Sequence, residues 1–481
     1  MKKAIIVIIA AAFAALCLPA AACANGEENS SSYVIDVVYD GEGTLSGNVS
    51  FTFVNNTENA FDDLSFNLWG NAYRQGALHA PVSQTYQSKA YYDGQSYGEM
   101  SVSAVEGCEE WQICGDDMNI LYVTLPETVY PEQSVTLDIE YSLTLARVNH
   151  RTGITENTVN LGNFYPVLCA YTTSGFAEHE YCCVGDPFVS DTADYVVSIT
   201  LPSTYKAAAS GTLTEEKTDE QTTTLTYSLK GARDFAVVLS EKFEVLSAQA
   251  GGATVYYYYY DDADAQKSLE AAVKSAEYFS EQFGSYMYPT LSVVQTGFCM
   301  GGMEYPALTM ISDSQDSQSA IYTIVHENAH QWWYAAVGSD QYYSSWQDEG
   351  LAEYSTLMFF ESAPEYGYTR TGMLGTATKS YRAYYSVYNQ LFGDADTTMN
   401  RPLNEYSGDY EYANIAYNKA LLMFEAVRGA CGDKEFVKAL SRYYTENKGK
   451  IASPESLIAQ FCKAADCEGI FDSFIQGKVI I

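Results

Sequence analysis

The feature that most constrains the fold of this sequence is a change of pattern near residue 260. From Tyr33 to about Ser247 the chain consists of short segments of alternating apolar and polar residues, rich in Thr, Val and Tyr and separated by Gly, Asn and Pro. Such period-two segments are typical of strands in a mostly antiparallel β-domain. After Asp264 apolar residues recur at helical spacing, interrupted by two short strand-like runs, TLSVVQT and PALTMIS. The sequence predicts an α+β protein, with an N-terminal β-domain (33–250) followed by a domain of helices and a small sheet (251–481).

The N-terminus has the pattern of an export signal. Lys2 and Lys3 precede an apolar run, residues 4–18, which is too short for a membrane-spanning helix. Cys23 follows three alanines and stands before a polar segment, as the lipidated cysteine of a lipoprotein does. We therefore expect contact with a membrane only through a lipid on Cys23, with residues 24–32 as a polar tether.

This interpretation assigns residues 1–23 to a lipoprotein signal peptide. The alternative is ordinary signal cleavage after Ala22 or Ala24, which would release the protein. In both cases the protein works outside the cytoplasm, either anchored to the cell membrane or secreted or periplasmic.

The charge and the cysteines exclude several other classes of function. The sequence has 61 Asp and Glu against 26 Lys and Arg, a net charge of −35, so it lacks the basic surface that a nucleic-acid partner requires. Beyond the signal region its cysteines form no CxxC pair, which argues against a zinc ribbon or a thioredoxin-type site. Their pairing stays open at this point.

The residues that can carry chemistry are concentrated in the second half. The segment TIVHENAHQWW places His326 and His330 four residues apart, hence on one face of a helix, with Glu327 beside them. Two neutral imidazoles on successive turns can bind zinc, and Glu327 can serve as the base for a water molecule. Glu349, with eighteen residues between it and His330, is available as a third ligand from a second helix.

Four motifs then occur in one order: GGMEYPALTM, HENAH, WQDEGLAEY and a late YNK. In order and spacing they resemble the aminopeptidase N family of gluzincins, which includes the leukotriene hydrolases. The resemblance extends over nearly all of the chain after its signal. It implies a thermolysin-like catalytic domain after the β-domain and, as in short bacterial members, no large C-terminal helical domain. The sequence departs from the family at Tyr305, where many members have Asn.

The resemblance also implies roles for individual residues. One zinc ion per chain would be held by His326, His330 and Glu349, with Glu327 as the catalytic base. Glu304 would bind the substrate's α-ammonium group. The remaining expected substrate contacts are Gly301, Gly302 and Met303, in a segment where backbone can approach the substrate closely.

Two tyrosines are candidates for stabilising the transition state. Tyr417 precedes the NK of the last motif and matches the family's tyrosine that donates a hydrogen bond to the developing oxyanion. Tyr412 is its rival, five residues earlier. Glu353, one helical turn after Glu349, can accept a hydrogen bond from a ligating histidine.

These residues together predict a zinc-dependent aminopeptidase acting on extracellular peptides that have a free N-terminus. Two alternatives stay open: an endopeptidase or epoxide hydrolase that uses the same zinc site, and a relative that binds peptides without catalysis.

Overall fold

The computed structural model of the chain describes residues 30–393 and 395–478. The predicted signal peptide, its Cys23 and residues 24–29 of the predicted tether lie outside the described residues. Within the described part, no helix has both the length and the apolar character needed to cross a membrane.

The first part of the described chain is built almost entirely of strands, as its alternating pattern predicts. The strands of the whole described chain are, in order, β1 (Ser32–Tyr39), β2 (Thr44–Val54), β3 (Phe61–Asn67), β4 (Glu99–Glu106), β5 (Glu110–Cys114), β6 (Ile120–Val129), β7 (Ser134–Thr144), β8 (Thr152–Ile154), β9 (Val159–Leu161), β10 (Val167–Leu168), β11 (Tyr171–Thr172), β12 (Gly175–Phe176), β13 (Ala193–Pro202), β14 (Lys206–Ala209), β15 (Thr212–Thr218), β16 (Thr222–Ala232), β17 (Val237–Ser240), β18 (Glu244–Ala250), β19 (Ala253–Tyr259), β20 (Thr290–Thr296), β21 (Gly302–Met303) and β22 (Leu308–Ser312), of which the last four lie in the second part.

Helices dominate the second part. In chain order they are α1 (Gln87–Ala90), which lies within the first part, then α2 (Ala265–Phe283), α3 (Ser317–Ala329), α4 (Gln341–Ser362), α5 (Arg370–Phe392), α6 (Asp409–Tyr412), α7 (Ala420–Cys431), α8 (Asp433–Asn447), α9 (Pro454–Cys462) and α10 (Glu468–Ile475). A π-helical segment, Ala413–Lys419, joins α6 to α7. Short 3₁₀ turns occupy Trp69–Tyr73, Pro364–Tyr366 and Leu403–Glu405.

The largest sheet of the β-rich part has seven strands in the order β15-β16-β13-β1-β2-β7-β4. Neighbouring strands in it run antiparallel except β1 and β13, which are parallel. Two four-stranded sheets accompany it, β10-β3-β6-β5 and β14-β17-β9-β8. Alternate residues of β1 are buried in one continuous apolar core, namely Tyr33, Ile35, Val37 and Tyr39, so the period-two pattern in the sequence corresponds to one covered face.

The second part is organised around a five-stranded mixed sheet in the order β18-β19-β20-β22-β21. β20 and β22 run parallel, and both are buried along their whole length, as expected for strands covered on both faces. α3 packs against β22, α2 and α4, so the sheet and α2 fix the position of the helix that carries the HENAH motif. The predicted order of a β-rich part followed by a small sheet with helices is confirmed. The predicted boundary at 250/251 falls in the turn between β18 and β19 and stays a prediction.

Candidate metal site and substrate cleft

The HENAH segment forms the last turn and the end of α3. Asp316 caps the start of this helix by accepting a hydrogen bond of 2.8 Å from the backbone nitrogen of Ser319. His326 lies in the last turn and His330 at the C-cap, and both side chains are buried. Helical spacing brings their Nε2 atoms to 3.2 Å from each other, as the sequence predicts.

α4 supplies the third donor. It packs beside α3, and Glu349 Oε2 lies 3.4 Å from Nε2 of His326 and 3.4 Å from Nε2 of His330. The two Nε2 atoms and Glu349 Oε2 form a triangle, the metal triangle. Ligand atoms at 2.0–2.1 Å from a tetrahedral zinc ion stand about 3.3 Å apart, which is the spacing found in this triangle. Two imidazoles and one carboxylate also match the donor chemistry of zinc. The donor set of His326, His330 and Glu349 therefore fits a zinc ion.

The other nitrogen of each imidazole has its own carboxylate partner. His326 Nδ1 lies 3.1 Å from Glu353 Oε2, and His330 Nδ1 lies 2.8 Å from Asp348 Oδ1. These partners fix the ring orientations and direct Nε2 of both rings into the triangle. The sequence predicts that Glu353 pairs with a ligating histidine, and in the structure that histidine is His326. Asp348 was missed, although it stands directly before Glu349 in the sequence.

The charges around the triangle favour a cation. Burial opposes charge on both rings, but the neighbouring carboxylates outweigh it, so that hydrogen bonds to Glu349 and Glu353 raise the pKa of His326 to about 10. The pKa of His330 is likewise raised, chiefly by Asp348, against the effect of burial. The site thus stabilises positive charge, as a centre for a divalent cation must.

Glu327 is buried beside the triangle, and burial raises its pKa to about 7. Its carboxyl group packs against Gly302, where an added Cβ would lie only 2.5 Å from Glu327 Oε1. Gly302 therefore makes room for the carboxyl group of Glu327. Gly301 has no such close neighbour, and its carbonyl accepts a hydrogen bond of 2.9 Å from the backbone nitrogen of Ser312.

Glu304 follows β21 and is 4% exposed. Its carboxylate lies close to Glu327 and His330, within one cluster of potential ligand atoms. Burial raises the pKa of Glu304 well above its ordinary value, and the nearby carboxylate of Asp186 raises it further. Glu304 is thus a buried acid at the side of the metal triangle.

A cleft with a volume of about 400 Å³ joins these groups. It is lined by Gly301, Gly302 and Glu304, by the three predicted ligands, and by Glu327, Tyr412 and Tyr417. Met303 does not line it. The Met303 side chain is 1% exposed, and its sulfur accepts a hydrogen bond of 3.2 Å from Arg151 Nε, so this residue packs behind the cleft wall.

Both candidate tyrosines reach the cleft. The ring of Tyr417 stacks near that of His326, with centroids 5.8 Å apart, and the hydroxyl of Tyr412 lies 3.4 Å from Glu349 Oε1. Tyr417 belongs to the π-helical segment and Tyr412 directly precedes it. Such π segments occur frequently at functional sites. The structure brings both tyrosines to the site.

Two further cleft residues come from the β-rich part and were missed by the sequence analysis. Arg151 and Asp186 form a buried ion pair, and both line the cleft together with Glu304. Arg151 also donates a hydrogen bond of 3.3 Å to the hydroxyl of Tyr181. Asp186 lies in the segment GDPF, whose aspartate is the one sequence signal that could have identified it.

Tyr305, the departure from the family motif, faces away from the cleft into the core. It is fully buried, and its hydroxyl donates a hydrogen bond of 3.0 Å to Asn163 Oδ1 in the β-rich part. Gly162 accommodates this ring, since an added Cβ there would lie 1.9 Å from the Tyr305 oxygen. Tyr305 therefore links the strand before Glu304 to the β-rich part.

Comparison with known proteins gives a family match to residues 267–475, described as "Peptidase family M1 domain". Aminopeptidase M1-B of Oryza sativa subsp. japonica is 26% identical over 207 residues, which are 40% of this chain and 23% of that protein. Tricorn protease-interacting factor F2 of Thermoplasma acidophilum is 25% identical over 199 residues, which are 39% of this chain and 25% of that protein. The chain thus matches about a quarter of the length of these curated relatives.

Solved structures share the whole fold. The M1 zinc metallopeptidase from Deinococcus radiodurans superposes with a TM-score of 0.65 and 19% identity, covering 94% of this chain and 96% of that one. A mutant of that peptidase bound to a Tyr-Ser-Ala substrate gives a TM-score of 0.64 and 20% identity, covering 94% and 95%. The β-rich part and the helical part thus occur together in one known architecture. The helical part thus resembles the peptidase M1 family, the aminopeptidase N family of gluzincins, and the whole described chain shares the fold of its solved members.

Proposed function

We propose that this protein is a zinc-dependent aminopeptidase that removes N-terminal residues from peptides outside the cytoplasm. The observation that carries the proposal is the position of the buried acid Glu304 beside a triangle of zinc-type ligands with sides of 3.2–3.4 Å. An aminopeptidase needs such an acid to bind the free ammonium group one residue away from the scissile carbonyl.

His326, His330 and Glu349 hold the zinc ion. When bound, zinc acts as a Lewis acid that polarises the scissile carbonyl and lowers the pKa of water. Glu327 stands beside the ligands in a buried position, where its pKa is about 7. A carboxylate in this position can accept a proton from the attacking water and return it to the leaving amine.

Glu304 and Asp186 are the two acids of the cleft that can bind the N-terminus of the substrate. They come from the two different parts of the chain, and both are buried in the cleft wall. Because Arg151 neutralises Asp186, Glu304 is the stronger candidate for the ammonium group. The free amine of the substrate supplies the positive charge that the buried Glu304 lacks.

Known relatives support the same activity. The matched protein of Oryza sativa subsp. japonica is an aminopeptidase by name, and the Deinococcus radiodurans peptidase has been solved with a tripeptide substrate. The direct test is hydrolysis of a panel of aminoacyl reporter substrates with and without a chelator. Activity should disappear with the chelator and return with added zinc. Cleavage of peptides with an acetylated N-terminus at the same rate as free peptides would instead indicate an endopeptidase.

The role of Glu304 gives a separate prediction. In Glu304→Gln the side chain keeps its shape but loses the charge that attracts the ammonium group. We expect a higher KM for free-amine substrates and a lower kcat, because a misplaced carbonyl is no longer oriented for attack. The zinc content should stay at that of the parent protein. Unchanged kinetics on free-amine substrates would exclude Glu304 as the anchor.

The location outside the cytoplasm is proposed on the sequence alone. If Cys23 carries a lipid, the protein trims peptides next to the membrane, where the products can be taken up. Cys23→Ser should then move the protein from the membrane fraction to the soluble fraction, with the same specific activity. If parent and variant partition alike in cell fractionation, the lipid anchor is excluded and ordinary signal cleavage is favoured.

A further inference from the structure

Three cysteines meet at the side of the helical part formed by the last helices. Cys431 ends α7, Cys462 ends α9 and Cys467 immediately precedes α10. The sulfur atoms of Cys431 and Cys467 lie 3.3 Å apart, although the two residues are 36 positions apart in the chain. This is close contact between two thiols that the proposed peptidase chemistry does not use.

The three thiols differ in accessibility. Cys467 is fully buried, Cys431 is half-buried and Cys462 is exposed. A disulfide requires the sulfur atoms to approach to about 2.0 Å, which is a movement of about 1.3 Å from the observed contact. Rotation of the half-buried Cys431 side chain at the end of its helix can supply much of that movement.

We propose that Cys431 and Cys467 form a disulfide bond that fastens α10 to α7. The oxidant is a small disulfide, of which oxidised glutathione is the example. The Cys431 thiolate attacks one sulfur of the oxidant, forms a mixed disulfide and releases one small thiol. Cys467 then loses its proton and attacks the Cys431 sulfur, which releases the second small thiol. In sum, two protein thiols are oxidised by two electrons and one small disulfide is reduced to two thiols.

The bond would add to existing contacts between α10 and the helices that lie behind the proposed active site. Phe471 of α10 packs against Phe424 of α7, with ring centroids 6.2 Å apart. Lys419, two residues after Tyr417, donates a hydrogen bond of 2.6 Å to the carbonyl of Phe474 at the end of α10. A disulfide at the start of α10 therefore stabilises the helices that pack behind the π-helical segment with Tyr417. This inference rests on the contact of the thiols and is independent of the proposed peptidase activity.

The test uses the intact purified protein, incubated with either oxidised or reduced glutathione and then alkylated under denaturing conditions. Trypsin separates the three cysteines, because cleavage yields peptides 429–434, 451–463 and 464–478. Mass spectrometry of the oxidised sample should find 429–434 joined to 464–478, with Cys462 alkylated. The oxidised protein should also unfold at a temperature higher by at least about 4 °C.

Two matched variants complete the test. Cys431→Ser should lose the cross-linked peptide and the difference in unfolding temperature between oxidised and reduced samples. Cys462→Ser should retain both. The proposal is overturned if Cys431 and Cys467 are both alkylated after oxidation of the parent protein, or if the cross-link joins Cys462 to Cys467. The peptide map of the parent protein decides the question even if a variant does not fold.

Discussion

Glu327→Gln should keep its zinc and lose turnover by about 10²–10⁴-fold, the contribution typical of a positioned general base. The substitution leaves His326, His330 and Glu349 unchanged, so the metal site should stay intact. The amide of Gln fills the space of the carboxyl group beside Gly302 but cannot accept a proton from water. Elemental analysis tests whether the zinc is retained. The value of kcat on an aminoacyl reporter substrate tests the loss of turnover.

Glu353→Gln is the informative control for this variant. Glu353 lies at the cleft wall and acts through His326 Nδ1, from which it lies 3.1 Å away. Its loss should weaken zinc affinity by about 10–100-fold, and added zinc should restore most of the turnover. Glu327→Gln should not respond to added zinc. If Glu327→Gln retained most of its activity, another group would have to be the base.

The metal triangle could be predicted from sequence because its parts obey simple geometry. His326 and His330 are four residues apart on one helix, and Glu349 needs only a second helix packed beside the first. The acid next to the third ligand, Asp348, was harder to predict. Asp348 pairs with His330 because of the orientation of the His330 ring. That orientation depends on the packing of α3 against α4.

The contributions of the β-rich part could not be predicted in this way. Arg151 and Asp186 are 35 residues apart and lie on irregular segments of the chain, so no periodicity links them to the motifs. Their roles follow from how the β-rich part packs against the segment after β21, which carries Glu304. The same packing explains Met303, which looks like a cleft residue in the motif but makes a buried contact with Arg151.

The uncertainty between the two tyrosines also has a physical cause. Residues five apart stand about 140° from each other around an α-helix, so helical periodicity would place at most one of them in the cleft. The segment Ala413–Lys419 is instead π-helical, with wider turns closed by hydrogen bonds between residues five apart. The wider turn brings Tyr412 and Tyr417 together, with ring centroids 5.7 Å apart.

The position of Tyr417 in the YNK motif favours it as the oxyanion donor, and both phenols lie near Glu349. The side chain of Tyr412 is 7% exposed and packs on Gly185, and its hydroxyl lies at the ligand Glu349. Tyr417 is half-buried and lines the cleft, and its hydroxyl also interacts with Glu349. A hydrogen bond that strengthens as the carbonyl oxygen gains charge lowers the barrier without tightening substrate binding.

Tyr417→Phe should therefore lower kcat by about 10²–10³-fold with little change in KM, as loss of one oxyanion donor does. The zinc content should stay at the level of the parent, because no ligand is removed. Tyr412→Phe, which removes the same atom from the neighbouring ring, should have a much smaller effect on kcat. Steady-state kinetics of both variants on one reporter substrate make the comparison. A large loss of kcat in Tyr412→Phe together with a small one in Tyr417→Phe would reverse the assignment, since the Tyr412 hydroxyl would then be the one that meets the oxyanion.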